Sequence, residues 1–323
     1  MSSLLFITGP ITEPAGDTTL ALIEAALSDG HQVDICDSGD LGASGPTVLA
    51  YAKRVLDADP QALPWLETSV AQPRDVGGYD AVVYRRDPPF GLQELHATLL
   101  LEGVRGRVRF LTDPRGLREA NEKLYALRFG AFVPPTAIVR EPAAILAFAA
   151  AHGGDMVVKP LDGCGGTGVF RLRLDDDNVQ VIAETATSEG RRAVVVQRYL
   201  PAAAIGDKRI ILLGGRVAGS FLRVPRAGEH RCNLHRGGTA VETELTPRER
   251  ELAAAVGASC RRDGLGLVGV DVIGEHLTEV NVTSPTGLRE LQALGLASLP
   301  AQVMRGLLPA VRRPTPVPLL RAA

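Results

Sequence analysis

Apolar and polar positions near the start of the chain follow two alternating periods. Residues 4–8 form a short apolar run that stops at Gly9-Pro10 and predict a buried strand. From Thr18 to Ser28, Leu20, Ile23 and Leu27 recur at helical spacing, and Asp29-Gly30 ends the helix they predict. Gln32 to Cys36 predicts a second strand and residues 80–84 a third, followed by the polar run Arg85-Arg86-Asp87-Pro88-Pro89. Leu92 to Glu102 predicts a helix and residues 107–111 a fourth strand. Residues 38–78, rich in Gly, Pro and Asp, predict loops with one short strand or helix. This β-α-β alternation implies a small open parallel sheet with crossover helices, whose ligands bind at the carboxyl ends of strands. Gly9-Pro10 and Arg85-Arg86-Asp87 both fall at such ends.

The pattern then changes. Residues 115–128 predict a helix that contains Asn121-Glu122-Lys123. After Pro134-Pro135, the strand Thr136–Val139 and the helix Pro142–Ala151 open a second unit. A strand at 156–159, the run Gly163-Cys164-Gly165-Gly166-Thr167-Gly168 and a strand at 169–174 follow, which suggests an α+β lid. Residues 192–199 predict a strand, and 208–213 with 216–224 a hairpin across Gly214-Gly215. Residues 225–239 lack periodicity and read as a mobile loop. A long helix follows at 246–262, with Thr246 and Glu249 at capping-box spacing. Residues 265–273 and 277–282 predict strands separated by Gly274-Glu275-His276, and two helices run to about residue 312 before a Pro-rich tail.

Composition narrows the class. A chain of 323 residues is too long for one small core and implies two or three packed subdomains. With 45% apolar and 22% charged residues it reads as soluble and globular, and a net charge of −2 gives no basic field for nucleic acid. No apolar run approaches the roughly 20 residues that span a bilayer, and the first residues lack the basic region of a signal peptide. Cys36, Cys164, Cys232 and Cys260 are widely spaced, which argues against a zinc site or a disulfide framework and fits a reducing cytoplasm. Only four lysines stand against 31 arginines, the usage of a GC-rich genome. Where arginine is the default cation, a lysine marks a need for a compact ammonium group. Lys123, Lys159 and Lys208 each lie in one of the runs considered next.

Lys159 ends a strand, and four glycines follow within the six residues 163–168. Glycine lets backbone N–H groups approach a phosphate, and a lysine adds a point charge. No Gly-Lys-Ser/Thr closes the run, so it is not a Walker loop, and alone it reads equally as a flexible turn. Glu279 and Asn281 lie two apart on one strand and share a face. A three-residue loop at 274–276 would set Asp271 across from Glu279, so that three oxygen donors converge as a magnesium site requires. A two-residue turn would pair Asp271 with Thr278 and point it to the other face. Arg209 and Arg223, on the two strands of the preceding hairpin, suit a phosphoryl group or carboxylate through bidentate hydrogen bonds, or else are surface cations.

Together these segments resemble a family. Arg85-Arg86-Asp87-Pro88-Pro89-Phe90, Asn121-Glu122-Lys123-Leu124, Lys159-Pro160-Leu161-Asp162-Gly163, Gly206-Asp207-Lys208-Arg209 and Leu277-Thr278-Glu279-Val280-Asn281-Val282-Thr283-Ser284-Pro285-Thr286 are similar to bacterial glutathione synthetase, in the same order from about residue 3 to about residue 310. The resemblance implies an α/β ATP-grasp fold. It would comprise an N-terminal parallel-sheet domain (residues 1–120), an α+β lid (121–200), a C-terminal mixed-sheet domain (201–312) and a tail (313–323). It implies that Lys123 and Lys159 bind ATP phosphates and that the loop with Gly163, Gly165, Gly166, Thr167 and Gly168 closes over them. Gln197, Tyr199 and Leu200 would lie along the adenine and Asp207 at the ribose. Asp271, Glu279 and Asn281 would hold two magnesium ions, with manganese as a substitute. Arg209, Arg223 and Asn281 would serve catalysis, and Arg85, Arg231, Asn233, Ser284, Pro285 and Thr286 would contact substrate. The loop 225–239 would shut over the site.

The implied activity is ligation of a carboxylate to an amine through an acyl phosphate, with amino-acid or short-peptide substrates, in a cytoplasmic homodimer or homotetramer that engages neither nucleic acid nor membrane. The chain departs from the family where substrates would sit. Gly9-Pro10-Ile11 stands for the usual Asp-Pro-Ile, and residues 12–17 look shortened. Arg231-Cys232-Asn233-Leu234-His235-Arg236-Gly237-Gly238 replaces a run with glycine and two alanines, and Gly287 replaces a bulkier residue. Three functions therefore stay open: glutathione synthesis, a γ-glutamyl or other dipeptide ligase, and a nucleotide-binding protein without catalysis.

Overall fold

The computed structural model describes residues 1–226, 232 and 237–308. The first strands and helix fall as the pattern implies: β1 (Ser3–Thr8), α1 (Thr18–Ser28) and β2 (Gln32–Cys36), with β1 and β2 parallel. Residues 38–78 differ from expectation. They hold four strands, β3 (Leu41–Ser44), β4 (Thr47–Ala58), β5 (Leu66–Thr68) and β6 (Gln72–Asp75). In β4 the buried positions Val48, Ala50, Ala52 and Val55 are largely small residues. That weak alternation was overwritten by the turn residues on either side. β4 runs antiparallel to β2, β3, β5 and β6, so the sheet is mixed rather than wholly parallel. Next come β7 (Ala81–Arg85), α2 (Leu92–Glu102) and β8 (Arg109–Phe110), giving the order β3-β4-β2-β1-β7-β8. The central strands β1 and β7 pair with Thr8 beside Arg85, so their carboxyl ends open at one place.

The helix expected over 115–128 is two helices, α3 (Pro114–Glu119) and α4 (Glu122–Ala126), with a 3-10 turn after them. Asn121 breaks the run. Its backbone is extended, and its Oδ1 accepts from the N–H groups of Lys123 and Leu124, capping a new helix. A second sheet follows, built from β9 (Thr136–Val139), β10 (Asp155–Pro160), β11 (Phe170–Arg173) and β12 (Val194–Arg198) in antiparallel order β11-β10-β12-β9. The helices α5 (Pro142–Ala151) and α6 (Val179–Thr187) cover one of its faces, closing a core around Ile145, Met156, Leu172 and Val196.

The third sheet has the order β15-β14-β13-β16-β17, all antiparallel: β13 (Asp207–Leu213), β14 (Arg216–Val224), β15 (Thr239–Glu242), β16 (Leu267–Ile273) and β17 (His276–Asn281). β15 begins at Thr239, the last residue of the expected loop. Most of that loop and the tail lie outside the described residues. α7 (Pro247–Arg262) starts on the foreseen capping box of Thr246 and Glu249. It lays Leu252, Val256 and Cys260 against Ile210, Leu212, Val268 and Val270 of the sheet. Lys208 also points this way, and its Nζ meets Glu249 Oε2 at 2.6 Å. This lysine fastens α7 rather than facing the cavity. Alternation sends Arg209, Gly269 and Asp271 to the opposite face. α8 (Leu288–Ala293) and α9 (Leu299–Leu307) close the described chain against α1.

Candidate active site

The three sheets surround a cavity of about 410 Å³, lined from the first by Gly9 and Arg85, from the second by Lys159, and from the third by Arg209 and Glu279. Cross-strand partners in a sheet share a face, so the third sheet arranges its polar side chains as a lattice. One row runs Phe221, Arg209, Asp271, Glu279 across β14, β13, β16 and β17. The adjacent row on one side pairs Arg223 with Asp207, and that on the other pairs Gly269 with Asn281.

The hairpin that delivers Glu279 combines the two open alternatives. Its turn has two residues, Gly274-Glu275, with Ile273 opposite His276 and Val272 opposite Leu277. Unbroken, that register would set Asp271 against Thr278. The ladder shifts between Asp271 and Val272, Thr278 is left unpaired, and Asp271 comes opposite Glu279 after all. Thr278 Oγ1 donates to the Asp271 carbonyl at 3.1 Å across the irregularity.

Asp271 is the centre of charge. Arg209 Nε and Nη2 grip its two oxygens at 2.6 and 3.0 Å, Arg223 Nη2 reaches Oδ1 at 3.0 Å, and Asn281 Nδ2 donates to Oδ2 at 3.1 Å. Burial alone would raise this carboxyl, but the two arginines overcome it and hold Asp271 well below the usual carboxylate range. Arg209 Nη1 donates to the Thr286 carbonyl at 2.9 Å. Lys123 Nζ stands 2.7 Å from Glu279 Oε1 and 2.6 Å from the Gly163 carbonyl, bridging the glycine loop and the metal-side strand. Among the described residues, Lys159 Nζ donates only to the Thr278 carbonyl, at 3.2 Å, and no carboxylate pairs with it. Burial lowers its pKa, as does nearby Lys123, against the pull of Glu279, and an incoming anion would favour its charged form.

Asp207 behaves unlike Asp271. Its Oδ2 meets Arg223 Nη2 at 2.5 Å, yet its Oδ1 has no partner among the described residues, and 16% of its side chain is exposed. Burial raises its carboxyl to about 7; Arg223 opposes the shift and the Asp271 charge adds to it. A carboxyl raised by folding adds stability that is whole below about pH 4, where the unfolded chain also holds the proton, and that drains away as pH climbs to about 7. The difference in urea midpoint between the wild type and Asp207→Asn will therefore slope downward from about pH 4 to about pH 7 and level off above it. A difference that stays constant over this range would contradict the shift.

The remaining expected residues distribute as follows. Gly165, Gly166 and Gly168 have φ of 60°, 74° and 71°, the left-handed region that side chains disfavour, so the loop requires its glycines. Gln197 donates to Thr136 Oγ1 at 2.8 Å, the Tyr199 ring lies under Arg171 at 3.7 Å, and Leu200 is buried beside them along the cavity wall. Arg85 is buried at the other end. Its Nε donates to Thr19 Oγ1 at 3.2 Å and its Nη2 to the Pro285 carbonyl at 3.0 Å, while Nη1 has no partner among the described residues. Burial lowers its pKa to about 10. Ser284, Pro285 and Thr286 line the same end. Arg231 and Asn233 lie outside the described residues.

Two of the departures have a packing basis. Gly287 has φ of 127°, and a Cβ there would stand 2.9 Å from Phe221 Cε1, so the phenyl ring and the glycine require each other. A Cβ at Gly9 would meet Arg86 Nη1 at 2.8 Å. Arg86 is drawn over Gly9 by Asp37, 2.8 Å from that nitrogen, and by Glu94. Cys232 is buried at the cavity rim, its Sγ 3.6 Å from the Ala203 carbonyl. Among the lining residues to which the sequence assigned no role are Phe221 and Glu122. Glu122 was available from its place between Asn121 and Lys123, whereas Phe221 carries no polar signal.

Asp271, Glu279 and Asn281 present oxygen donors from paired strands, the hard ligands that magnesium takes. Among the described residues no three His, Cys, Asp or Glu side chains are grouped to hold a metal alone. Magnesium bound at one or two carboxylates completes its shell with phosphates and water, so the donor set fits a nucleotide-bound ion.

Similarity to known proteins agrees with this geometry. D-cycloserine synthetase DcsG superposes with a TM-score of 0.64 at 21% identity, over 94% of this chain and 98% of its own. A RimK domain ATP-grasp protein from Sphaerobacter thermophilus does so at 0.59 and 19%, over 94% and 99%. The architecture is therefore that of the ATP-grasp enzymes. The family models for prokaryotic glutathione synthetase match almost end to end, the N-terminal domain over residues 3–118 and the ATP-grasp domain over 122–295. Glutathione synthetase of Nitrosomonas europaea is 41% identical over 294 residues, 89% of this chain and 92% of its own. That of Synechococcus elongatus is 41% identical over 315 residues, 94% and 97% respectively. The chain belongs to the prokaryotic glutathione synthetase family and is an ATP-dependent, ADP-forming ligase that makes a C–N bond. No helix among the described residues is long and apolar enough to cross a membrane.

Proposed function

We propose that this enzyme activates the carboxylate of γ-glutamylcysteine with ATP and joins it to glycine. The row Arg209-Asp271-Glu279, with Asn281 beside it and Lys123 and Lys159 above, carries the reading, in a chain whose near full-length relatives are glutathione synthetases. Bound ATP supplies the phosphoryl group, and one or two magnesium ions, or manganese, offset its charge. Lys123 and Lys159 hold the phosphates, and the loop 163–168 covers them. Gln197, Tyr199 and Leu200 flank the adenine, and Asp207 takes the ribose hydroxyls through its free oxygen. Asp271, Glu279 and Asn281 are the metal ligands. Arg209 and Arg223 hold the acyl phosphate and the oxyanion formed when the amine attacks it. Because an acyl phosphate hydrolyses readily, the loops must exclude water before it forms. Arg85, with Ser284, Pro285 and Thr286, receives a substrate carboxylate on its Nη1, which has no partner among the described residues, and Arg231 and Asn233 also bind substrate.

The units divide near residues 120 and 200, with the tail from 313, and the enzyme works in the cytoplasm as a homodimer or homotetramer on small molecules, without nucleic acid or membrane. A second reading, a γ-glutamyl or other dipeptide ligase, is favoured by the Arg86 guanidinium that covers Gly9 and by Cys232 at the rim. Phosphate release with Mg-ATP across a matrix of donors and acceptors separates the two. Release confined to γ-glutamylcysteine plus glycine is expected. Silence with that pair and release with another would replace the first reading by the second.

A further inference from the structure

We infer that Glu122 is the positioning residue that keeps the metal-ligand strand and the phosphate-binding lysine in one frame, an assignment that rests on the ligase reading above. β17 is the last strand of its sheet, paired with β16 along one side, and outside that ladder its Leu277 N–H donates to the Phe132 carbonyl at 2.9 Å. It nonetheless carries two of the three expected metal donors, Glu279 and Asn281. An edge strand has a free row of backbone groups and tends to fray unless something else takes them. Here the helix α4 lies along it. Glu122 Oε1 accepts from the backbone N–H groups of Val282 at 3.1 Å and Thr283 at 3.3 Å, and from Thr283 Oγ1 at 2.8 Å. The carboxylate thus stands in for a missing neighbouring strand, immediately after Asn281.

The residues on either side of Glu122 hold other elements. Asn121 Nδ2 donates to the Leu161 carbonyl at 3.1 Å, just beyond β10. Lys123 Nζ reaches the glycine loop and Glu279. Three consecutive residues of one short helix therefore fix the lid, the edge strand and the phosphate site relative to one another. α4 has only five residues, too few to persist on its own hydrogen bonds, so its place depends on these contacts. Glu122 is 7% exposed, and among the described residues no cation lies within ion-pair distance of it. A carboxylate so buried is stabilised by what it holds, and what it holds is the end of β17.

Two variants separate this role from mere packing or charge. Glu122→Gln keeps an acceptor oxygen of the same reach and removes the charge, whereas Glu122→Ala removes the acceptor. Mn²⁺ binding is read by electron paramagnetic resonance in the presence of ADP, and affinity for a fluorescent ATP analogue is read in EDTA. For Glu122→Ala, Mn²⁺ affinity is expected to fall about tenfold and the Mg²⁺ concentration for half-maximal turnover to rise in step, with metal-free nucleotide affinity within about threefold of wild type. Glu122→Gln is expected to restore Mn²⁺ affinity to within about threefold. Should the alanine variant fail to fold, Thr283→Val, which deletes the shortest of the three bonds, is expected to weaken Mn²⁺ binding in the same direction. Unchanged Mn²⁺ affinity in the alanine or valine variant, equal losses in alanine and glutamine variants, or a parallel loss of metal-free nucleotide affinity would each overturn the assignment. Because Mn²⁺ and ADP binding need no acyl donor, failure of every donor to support phosphate release would count against the ligase reading alone.

Discussion

Glu279→Gln will lower kcat at saturating ATP and magnesium by about a thousandfold or more, equivalent to ~4 kcal/mol of transition-state stabilisation. Among the described residues, Glu279 is the carboxylate of the row that no arginine grips, and Lys123 alone pairs with it. A triphosphate that draws Lys123 away leaves Glu279 with its full charge for a metal ion. Glutamine has the same shape, but its neutral amide is a weak magnesium ligand and presents an NH₂ group in place of one oxygen. The fold should tolerate the change, because 22% of the Glu279 side chain is exposed and Lys123 retains the Gly163 carbonyl. ADP formation and thermal unfolding, measured on one preparation, check both halves. Turnover above about one-tenth of wild type in a folded variant would remove Glu279 from the metal set.

Arg209→Met will damage stability and turnover together. All three of its terminal nitrogens are engaged, two on Asp271 and one on Thr286, and the residue is 5% exposed. Its loss strips Asp271 of a bidentate partner while leaving the carboxylate buried, a change that costs about 3 kcal/mol when one cation remains nearby, as Arg223 does. Turnover should fall by about a thousandfold, the effect of removing a preorganised donor from developing charge. The pH dependence carries a sign. A carboxyl held low by its partners adds stability that is present above the unfolded pKa and lost only as pH falls through the lower folded value. Wild-type Asp271 therefore keeps its contribution well into acid, whereas in Arg209→Met that contribution shrinks and disappears nearer to pH 4. Urea unfolding at neutral pH and near pH 4 tests this; stability equal to wild type at both would contradict the buried pair as drawn here.

Strong periodicity carried over into structure. α1, β2, α2, β9, α5 and β14 have the bounds that their apolar spacing predicts. The misses share a cause, a local signal weaker than its surroundings. β4 buries alanines, which stand out little from polar neighbours, and its context is rich in turn residues. The helix over 115–128 was broken by one asparagine, whose side chain competes with the backbone for N–H groups. In the site, period-two spacing on β17 correctly put Glu279 and Asn281 on one face, but the ladder irregularity that brings Asp271 to them has no sequence signature. Arg209 and Arg223 could have been surface cations from sequence alone, and only the tertiary partners of Asp271 decide between the two. Glu122 went unassigned because its three bonds reach 160 and 161 residues along the chain.

The irregular hairpin between β16 and β17 imposes a parity rule on this part of the gene. Side chains on a strand alternate, and the unpaired Thr278 makes the number of residues between Asp271 and Glu279 odd, where a regular hairpin on the same two-residue turn would make it even. One residue added after Thr278, with the pairing of Val272 and Leu277 kept, would set the new residue opposite Asp271 and turn Glu279 toward α7, whereas losing Thr278 itself would bring Glu279 opposite Asp271 on an unbroken ladder. Changes of two residues would lengthen or shorten the hairpin and leave the floor as it is. Substitutions in this hairpin can thus accumulate one at a time, while an added residue must be matched by a second, and a designer who moves this metal site to another scaffold can either copy the irregularity or close a regular hairpin one residue shorter.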